Sequence, residues 1–199
     1  MADIIVQPPE PGQMLDLIRL FGNDRPVEME LGTGKGGFLL ERARSLPELN
    51  LFGVEWANKY YRFAAKRMAH WEVTNVRIMR ADARHLLIHH LPDDSLTALH
   101  VYHPDPWPKK RHHKRRLFQP GFVEAVARVL RRRSRLFVQT DHREYYTWIH
   151  DLLTAQPGLN IEKAGALDRQ TPQATPGTNY EIKYLRQGRN IWYLIAARP

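Results

Sequence analysis

The chain has 199 residues, with 30 Lys and Arg against 21 Asp and Glu, ten His and no Cys, so its formal charge is +9 and its pI is near 10.0. The lack of cysteine excludes a disulfide framework, a thiolate metal site and a cysteine nucleophile. No apolar run approaches the ~18 residues of a membrane span, and Met1-Ala2-Asp3-Ile4-Ile5 lacks the basic start and apolar stretch of a secretory leader; one cytoplasmic globular domain is expected, with a basic excess suited to a polyanionic partner.

Residues 1–10, with Pro8 and Pro9, read as a loose arm. Met14, Leu17, Ile18 and Phe21 recur at helical spacing and predict a short amphipathic helix over 13–21. Strand and helix patterns then alternate. Strands are predicted at 27–31, 50–55, 76–79, 95–102 and 135–140, and helices at 36–44, 57–71, 122–132 and 143–155. Strands at 159–163 and 191–197 close the series. Strands separated by helices predict βαβ units, hence an α/β, Rossmann-like fold with a mainly parallel sheet and helices on both faces. Residues 1–26 form an arm with its short helix, and 27–199 form the domain. In such sheets ligands bind beyond the carboxyl ends of the strands.

The first of these strands runs into Glu30-Leu31-Gly32-Thr33-Gly34-Lys35-Gly36-Gly37. Gly32, Gly34 and Gly37 satisfy G-x-G-x-x-G, where glycine permits positive φ and the next helix start offers N–H groups to an anion. A tight turn with no ligand meets the same pattern. The second strand ends in Gly53-Val54-Glu55, and an acid there can accept from both hydroxyls of a ribose. A nicotinamide dinucleotide and S-adenosylmethionine (SAM) both fit so far. Glu30 favours SAM, because a carboxylate beside the bound group repels a pyrophosphate and attracts a sulfonium. Asp82, in Arg80-Ala81-Asp82-Ala83, stands where an acid can read an adenine amino group; a helix N-cap is its other reading.

His103-Pro104-Asp105-Pro106-Trp107-Pro108 follows the fourth strand. Two prolines hold Asp105 on a stiff turn between the cofactor loop and a basic run. That run, Lys109-Lys110-Arg111-His112-His113-Lys114-Arg115-Arg116, has six Lys and Arg, two His and no acid; without it the charge falls to +3. It is either a solvated face or a contact with nucleic-acid phosphates, which gives affinity and salt dependence but little sequence information. Its density and lack of counter-charges favour the contact. A second cluster, Arg131-Arg132-Arg133 with Arg135, follows. His89-His90 and His112-His113 show no metal-ligand spacing and read as exposed, so no metal is expected.

The stretch 105–116 resembles the signature of the tRNA (guanine-N7-)-methyltransferase family, and 30–37 is similar to that family's SAM loop. Gln139-Thr140-Asp141 and Thr178-Asn179-Tyr180-Glu181 resemble two further motifs, so the likeness spans roughly 27–197 in order. It departs at His103, where an apolar or aromatic residue is expected, and in a short arm. The resemblance implies a Rossmann-like SAM-dependent methyltransferase fold that methylates N7 of a variable-loop guanosine, position 46 in tRNA numbering. Its implied partner is tRNA, with no obligatory protein partner. Glu30, Gly32, Gly34, Glu55, Asp82 and Asp105 would bind SAM. Lys109, Asp141, Thr178, Asn179, Tyr180 and Glu181 would hold the substrate, with Arg111, His112, His113, Lys114, Arg115 and Arg116 on the RNA.

Guanine N7 already has a free lone pair, so the chemistry needs alignment and stabilisation of positive charge rather than proton removal. Asp105 is the first candidate for that role, then Asp141 and Glu181. Tyr180 or Trp107 could stack on the exposed base. Two readings of other classes stay open. An NAD(P)-binding Rossmann oxidoreductase explains the glycines and Glu55 but leaves 105–116 and 178–181 without a role. A non-catalytic RNA-binding protein leaves the carboxylates Glu30, Glu55, Asp82 and Asp105 unexplained.

Overall fold

Val27-Glu28-Met29-Glu30-Leu31 is buried at every position, the mark of a central strand in a sheet covered on both faces. A computed structural model describes residues 4–167 and 190–199. Its elements are β1 (Ile5–Val6), α1 (Leu17–Phe21), β2 (Val27–Leu31), α2 (Gly37–Ser45), β3 (Asn50–Val54), α3 (Asn58–His70), β4 (Val76–Met79) and α4 (Ala83–His89). Then come β5 (Leu96–Tyr102), a 3-10 turn (Lys110–Arg115), α5 (Pro120–Val129), β6 (Leu130–Thr140), α6 (Arg143–Thr154), β7 (Asn160–Ala166) and β8 (Trp192–Ala197).

The strands form one sheet in the order β1-β4-β3-β2-β5-β6-β8-β7. Pairings among β1 to β6 are parallel, and β8 runs antiparallel to both β6 and β7. This is the mainly parallel α/β sheet that the alternation predicts. On one face Met29, Leu31, Phe52, Val54, Val101 and Val138 join the core with Leu86 of α4, Phe122 of α5 and Tyr145 and Ile149 of α6. On the other, Leu51, Val76 and Ile78 pack against Leu39 and Ala43 of α2 and Ala64, Ala65 and Met68 of α3. Each fully buried large side chain contributes about 1.5–3 kcal/mol.

Several expectations are corrected. Residues 4–6 are not loose: Ile5 and Val6 pair with Ile78 and Met79, and Ile4 O accepts from Ile78 N–H at 2.7 Å. The helix expected over 13–21 begins only at Leu17, because Asp16 caps it through Arg19 N–H at 2.9 Å. α4 was not expected; Asp82 caps it by accepting from His85 N–H at 3.0 Å. α5 starts at Pro120, whose fixed φ suits the first turn, and ends at Val129, so Arg131 and Arg132 lie in β6 rather than in a helix. His90 is buried rather than exposed, with its Nδ1 2.7 Å from Gln13 O.

Candidate active site and basic segment

The glycine loop joins the carboxyl end of β2 to α2. Gly32 has φ of 77°, and its position where a Cβ would stand is open, so a ligand can reach the backbone there. Gly36, at φ 68°, is pressed on α3: a Cβ would come within 2.9 Å of Met68 and 3.0 Å of Ala64. Glu55 clasps the loop from the next strand. Its Oε2 accepts from Gly34 N–H and its Oε1 from Ala57 N–H, both at 2.8 Å. Each carboxylate oxygen keeps a second lone pair for a further donor.

Glu30 is 4% exposed, and its Oε2 has no hydrogen-bond partner among the described residues. Burial, and then the nearby Glu55 charge, push its pKa well above the usual carboxyl range. A buried carboxyl without partners stays protonated until a cation reaches it. Gly32, Glu30 and Glu55 therefore fit a ligand with a ribose and a positive charge. They fit a pyrophosphate poorly.

Glu28, two residues earlier on the same face, escaped the sequence reading. Arg42 grips it with Nε at 2.6 Å and Nη2 at 2.7 Å, and His100 Nε2 lies 3.1 Å away. Burial pushes the Glu28 carboxyl up, but hydrogen bonds from His100 and Arg42 outweigh it and hold the pKa at about 2. Burial keeps His100 neutral, so its Nε2–H donates to Glu28 and its Nδ1 accepts from Tyr102 Oη at 2.9 Å. Phe137 stacks on the His100 ring at 5.0 Å. Tyr102 is the last residue of β5, and the Asp105 turn follows it.

Two non-glycine residues with positive φ, His103 at 51° and Trp107 at 43°, bracket Pro104, Asp105 and Pro106. Such conformations persist only where surrounding contacts enforce them. His103 N–H donates to Gln139 O at 2.8 Å, and Arg116 Nε donates to Pro106 O at 2.9 Å. Asp105 itself is exposed, and Asp141 after β6 is half-buried. Burial lowers the His103 pKa to about 4, against the opposing pull of Asp141. Asp82 is exposed and has taken the capping role weighed from sequence, which leaves its second carboxylate oxygen outside that bond.

The basic run divides in two. Lys109, Lys110, Arg111, Lys114 and Arg115 are exposed, and Arg115 lies over the Trp107 ring at 5.0 Å. Half-buried His112 meets Trp107 edge-on. Arg116 corrects the sequence reading: it is 0% exposed and points inward. Its Nη1 and Nη2 hold Glu144 at 3.1 and 2.5 Å, its Nη2 lies 3.0 Å from His113 Nε2, and its guanidinium stacks on Tyr145 and Trp148 at 4.9 and 5.2 Å. With four of its five N–H groups engaged and no surface exposed, Arg116 is not placed to meet a phosphate; it pins the Asp105 turn and the 3-10 turn to α6. His113 is held in the same knot. Arg131, Arg132 and Arg133 lie near the amino end of β6, away from the Asp105 turn, and Arg131 Nε bonds Asp94 O at 3.1 Å. Thr178, Asn179, Tyr180 and Glu181 lie outside the described residues. Among the described residues, no helix is long and apolar enough to cross a membrane, and no group of His, Asp and Glu could hold a metal ion.

A family model described as "Putative methyltransferase" matches residues 24–194. A curated tRNA (guanine-N(7)-)-methyltransferase of Alkalilimnicola ehrlichii is 39% identical over 186 residues, covering 94% of this chain and 78% of that protein. One of Vibrio vulnificus is 37% identical, covering 90% of this chain and 76% of its own. Two solved structures share the fold: TrmN from Thermus thermophilus, with TM-score 0.63, 19% identity and coverage of 92% and 47%, and a SAM-dependent methyltransferase from Aquifex aeolicus, with TM-score 0.62, 11% identity and coverage of 92% and 88%.

Proposed function

The chain belongs to the tRNA (guanine-N(7)-)-methyltransferase family, and from that premise we propose that it transfers a methyl group from SAM to N7 of a guanosine in tRNA, the variable-loop guanosine at position 46 implied by the resemblance. Residues 27–199 are the methyltransferase domain in this reading, and 1–26 its arm. The observation that carries it is Glu30, a buried carboxyl with an unpartnered oxygen at the carboxyl end of the central strand. Glu55 stands beside it. A pyrophosphate would add negative charge to that pair, whereas a sulfonium or ammonium offsets it.

Gly32 leaves room at the backbone, Gly34 carries the loop past it at a φ of 52°, and Glu55 accepts from the ribose hydroxyls with the lone pairs its loop contacts leave over. Asp82 offers its outer oxygen to the adenine amino group, and Asp105 borders the pocket. When bound, SAM supplies a methyl group activated by a positive sulfur. Guanine N7 brings its own lone pair, so no residue of the chain removes a proton beforehand. The chain holds the base in line and stabilises the positive charge the purine gains. Asp105 does the latter from a turn that Arg116 keeps rigid. Lys109, Asp141, Thr178, Asn179, Tyr180 and Glu181 hold the guanosine, whose unstacking costs about a few kcal/mol recovered in the pocket. Arg111, His112, Lys114 and Arg115 face the RNA.

Calorimetric titration with SAM and with NAD, together with methyl transfer to an unmodified tRNA transcript, tests the proposal. SAM binding and N7-methylguanosine are expected. NAD binding without SAM binding, or SAM binding with no methylated tRNA, overturns it. Asp105→Ala should lower the single-turnover rate at saturating tRNA roughly 10²–10³-fold and change tRNA affinity little, since phosphates supply most of it. A near-parental rate would move the charge-stabilising role to Asp141 or Glu181.

A further inference from the structure

The cations of this chain differ in what they meet. Arg42, Arg116, Arg128, Arg135 and Arg198 each pair with a carboxylate. Lys35, Arg44, Lys59, Arg62, Lys66 and Arg67 form no ion pair with any described residue. Four of those six lie on α3, whose sequence contains Lys59, Arg62, Lys66, Arg67 and His70 and no acid.

Lys59, Arg62, Phe63, Lys66 and His70 recur at three- and four-residue spacing and share one face. All five are exposed, and the buried face of the helix is Ala64, Ala65 and Met68. From Lys59 to His70 the face is about 16 Å long. In place of acids, Lys35, Arg67 and Arg44 beside this face have aromatic neighbours. Phe63, 48% exposed, has Lys35 Nζ at 5.8 Å and Arg67 at 5.9 Å from its ring. Trp71, equally exposed, has Arg44 at 4.6 Å. A helix face meant only for water mixes charges of both signs. Unpaired cations beside exposed rings are what nucleic-acid surfaces use.

This face is tied to the cofactor loop. Arg67 Nη1 donates to Lys35 O in that loop at 3.1 Å, and Gly36 rests on Ala64 and Met68. α3 follows β3 and the basic run follows β5, with β2 between them, so both leave the same rim of the sheet from strands about 10 Å apart.

We infer that the exposed face of α3, with Lys35 and Arg44, is a second docking surface for the phosphate backbone of the RNA substrate, on the opposite flank of the cofactor loop from the 109–115 run. The inference rests on the tRNA methyltransferase reading. An RNA that delivers a base to the rim is contacted on both flanks, and α3 adds affinity and salt dependence without reading sequence.

The test is the triple variant Lys59→Ala, Arg62→Ala, Lys66→Ala, compared with Arg111→Ala, Lys114→Ala, Arg115→Ala and the parent. All six positions are exposed, and an unchanged unfolding midpoint verifies the fold. Tight binding of an unmodified tRNA transcript is measured across a salt series. The α3 variant should bind roughly tenfold or more weakly, with a slope of log K against log salt shallower by about 2–3. SAM affinity and the single-turnover rate at saturating tRNA should hold. A parental slope in the α3 variant, with a shallower slope in the basic-run variant, overturns the inference and leaves the tRNA reading standing. A parent protein with no salt-dependent tRNA binding removes both. Loss of binding to anionic vesicles with a parental tRNA slope assigns the face to a membrane and overturns the inference.

Discussion

Glu28 and Glu30 stand two residues apart on β2, on one face, and are buried almost equally, at 6% and 4% exposure. Their carboxyls are in opposite condition. Burial pushes both up; at Glu28 the hydrogen bonds from His100 and Arg42 overcome it, whereas at Glu30 the Glu55 charge adds to it. Depth does not separate an acid that the fold holds from one that it leaves open. What separates them is whether the protein itself fills the acceptors. The basic run repeats this with the sign reversed, since Arg116 is buried and held by Glu144, Pro106 and His113 while Arg111, Lys114 and Arg115 face water.

The contrast is broken most violently at the filled acid. Glu28→Ala leaves Arg42 and His100 without their acceptor and should destabilise the fold by about 3–5 kcal/mol in denaturant unfolding; a loss below about 1 kcal/mol, the scale of an exposed pair, would erase the distinction. Arg116→Ala comes next, at about 2–3 kcal/mol, because half-exposed Glu144 can recover water. Arg116→Lys should rescue little, since an ammonium cannot reproduce the planar fork and the stacking. An RNA contact at Arg116 would instead give parental stability and a shallower salt slope.

Glu30→Gln sharpens the contrast from the other side. It should weaken SAM binding by about 1.5–3 kcal/mol while leaving the free protein as stable or more so. A raised pKa means that the folded protein holds this proton more tightly than the unfolded chain. Glu30 therefore lowers stability as pH rises from the ordinary glutamate value of 4.5 toward its raised folded value. The stability gap between Glu30→Gln and the parent should widen over that window, and SAM binding should release a proton from the parent but not from the variant, read by calorimetry in buffers of different ionisation heat. Glu28 has the opposite sign: its contribution is complete above 4.5 and is lost as pH falls toward about 2. The smallest stability effect belongs to Arg111→Ala, Lys114→Ala, Arg115→Ala, within about 0.5 kcal/mol, measured by the same unfolding. A loss as large as that of Arg116→Ala would end the division of the run.

The sheet was legible because Val27, Met29 and Leu31 alternate with Glu28 and Glu30, Leu51, Phe52 and Val54 cluster, and Val76, Ile78 and Met79 follow in turn, and the cofactor loop because its glycines follow the first of these strands. Glu28 was not, since nothing local distinguishes it from Glu30; its partners are Arg42, one helix away, and His100, three strands on in the chain. Arg116 was hidden in the same way, as one cation among six whose acceptor lies on α6. β1 is two residues long, too short for a period to show. The helix expected over 122–132 is cut short by strand pairing, because Leu130 already meets Leu96 of β5.

β8 is last in the chain but interior in the sheet, with β6 on one side and β7 on the other. During synthesis, which proceeds at about 5–20 residues per second, β7 leaves the ribosome before the strand it pairs with exists. Its backbone waits as an open edge, the kind of template on which nascent chains stick to one another. Glu162 and Lys163 place charges of both signs on that strand, and most of it stays exposed in the finished fold, which is how natural edges are kept from recruiting strangers. Cutting the chain before Trp192 would remove the seam between β6 and β7 rather than trim a border. Such a truncated product should be recognised by quality control long before its cofactor loop, complete since Gly37, has anything to bind.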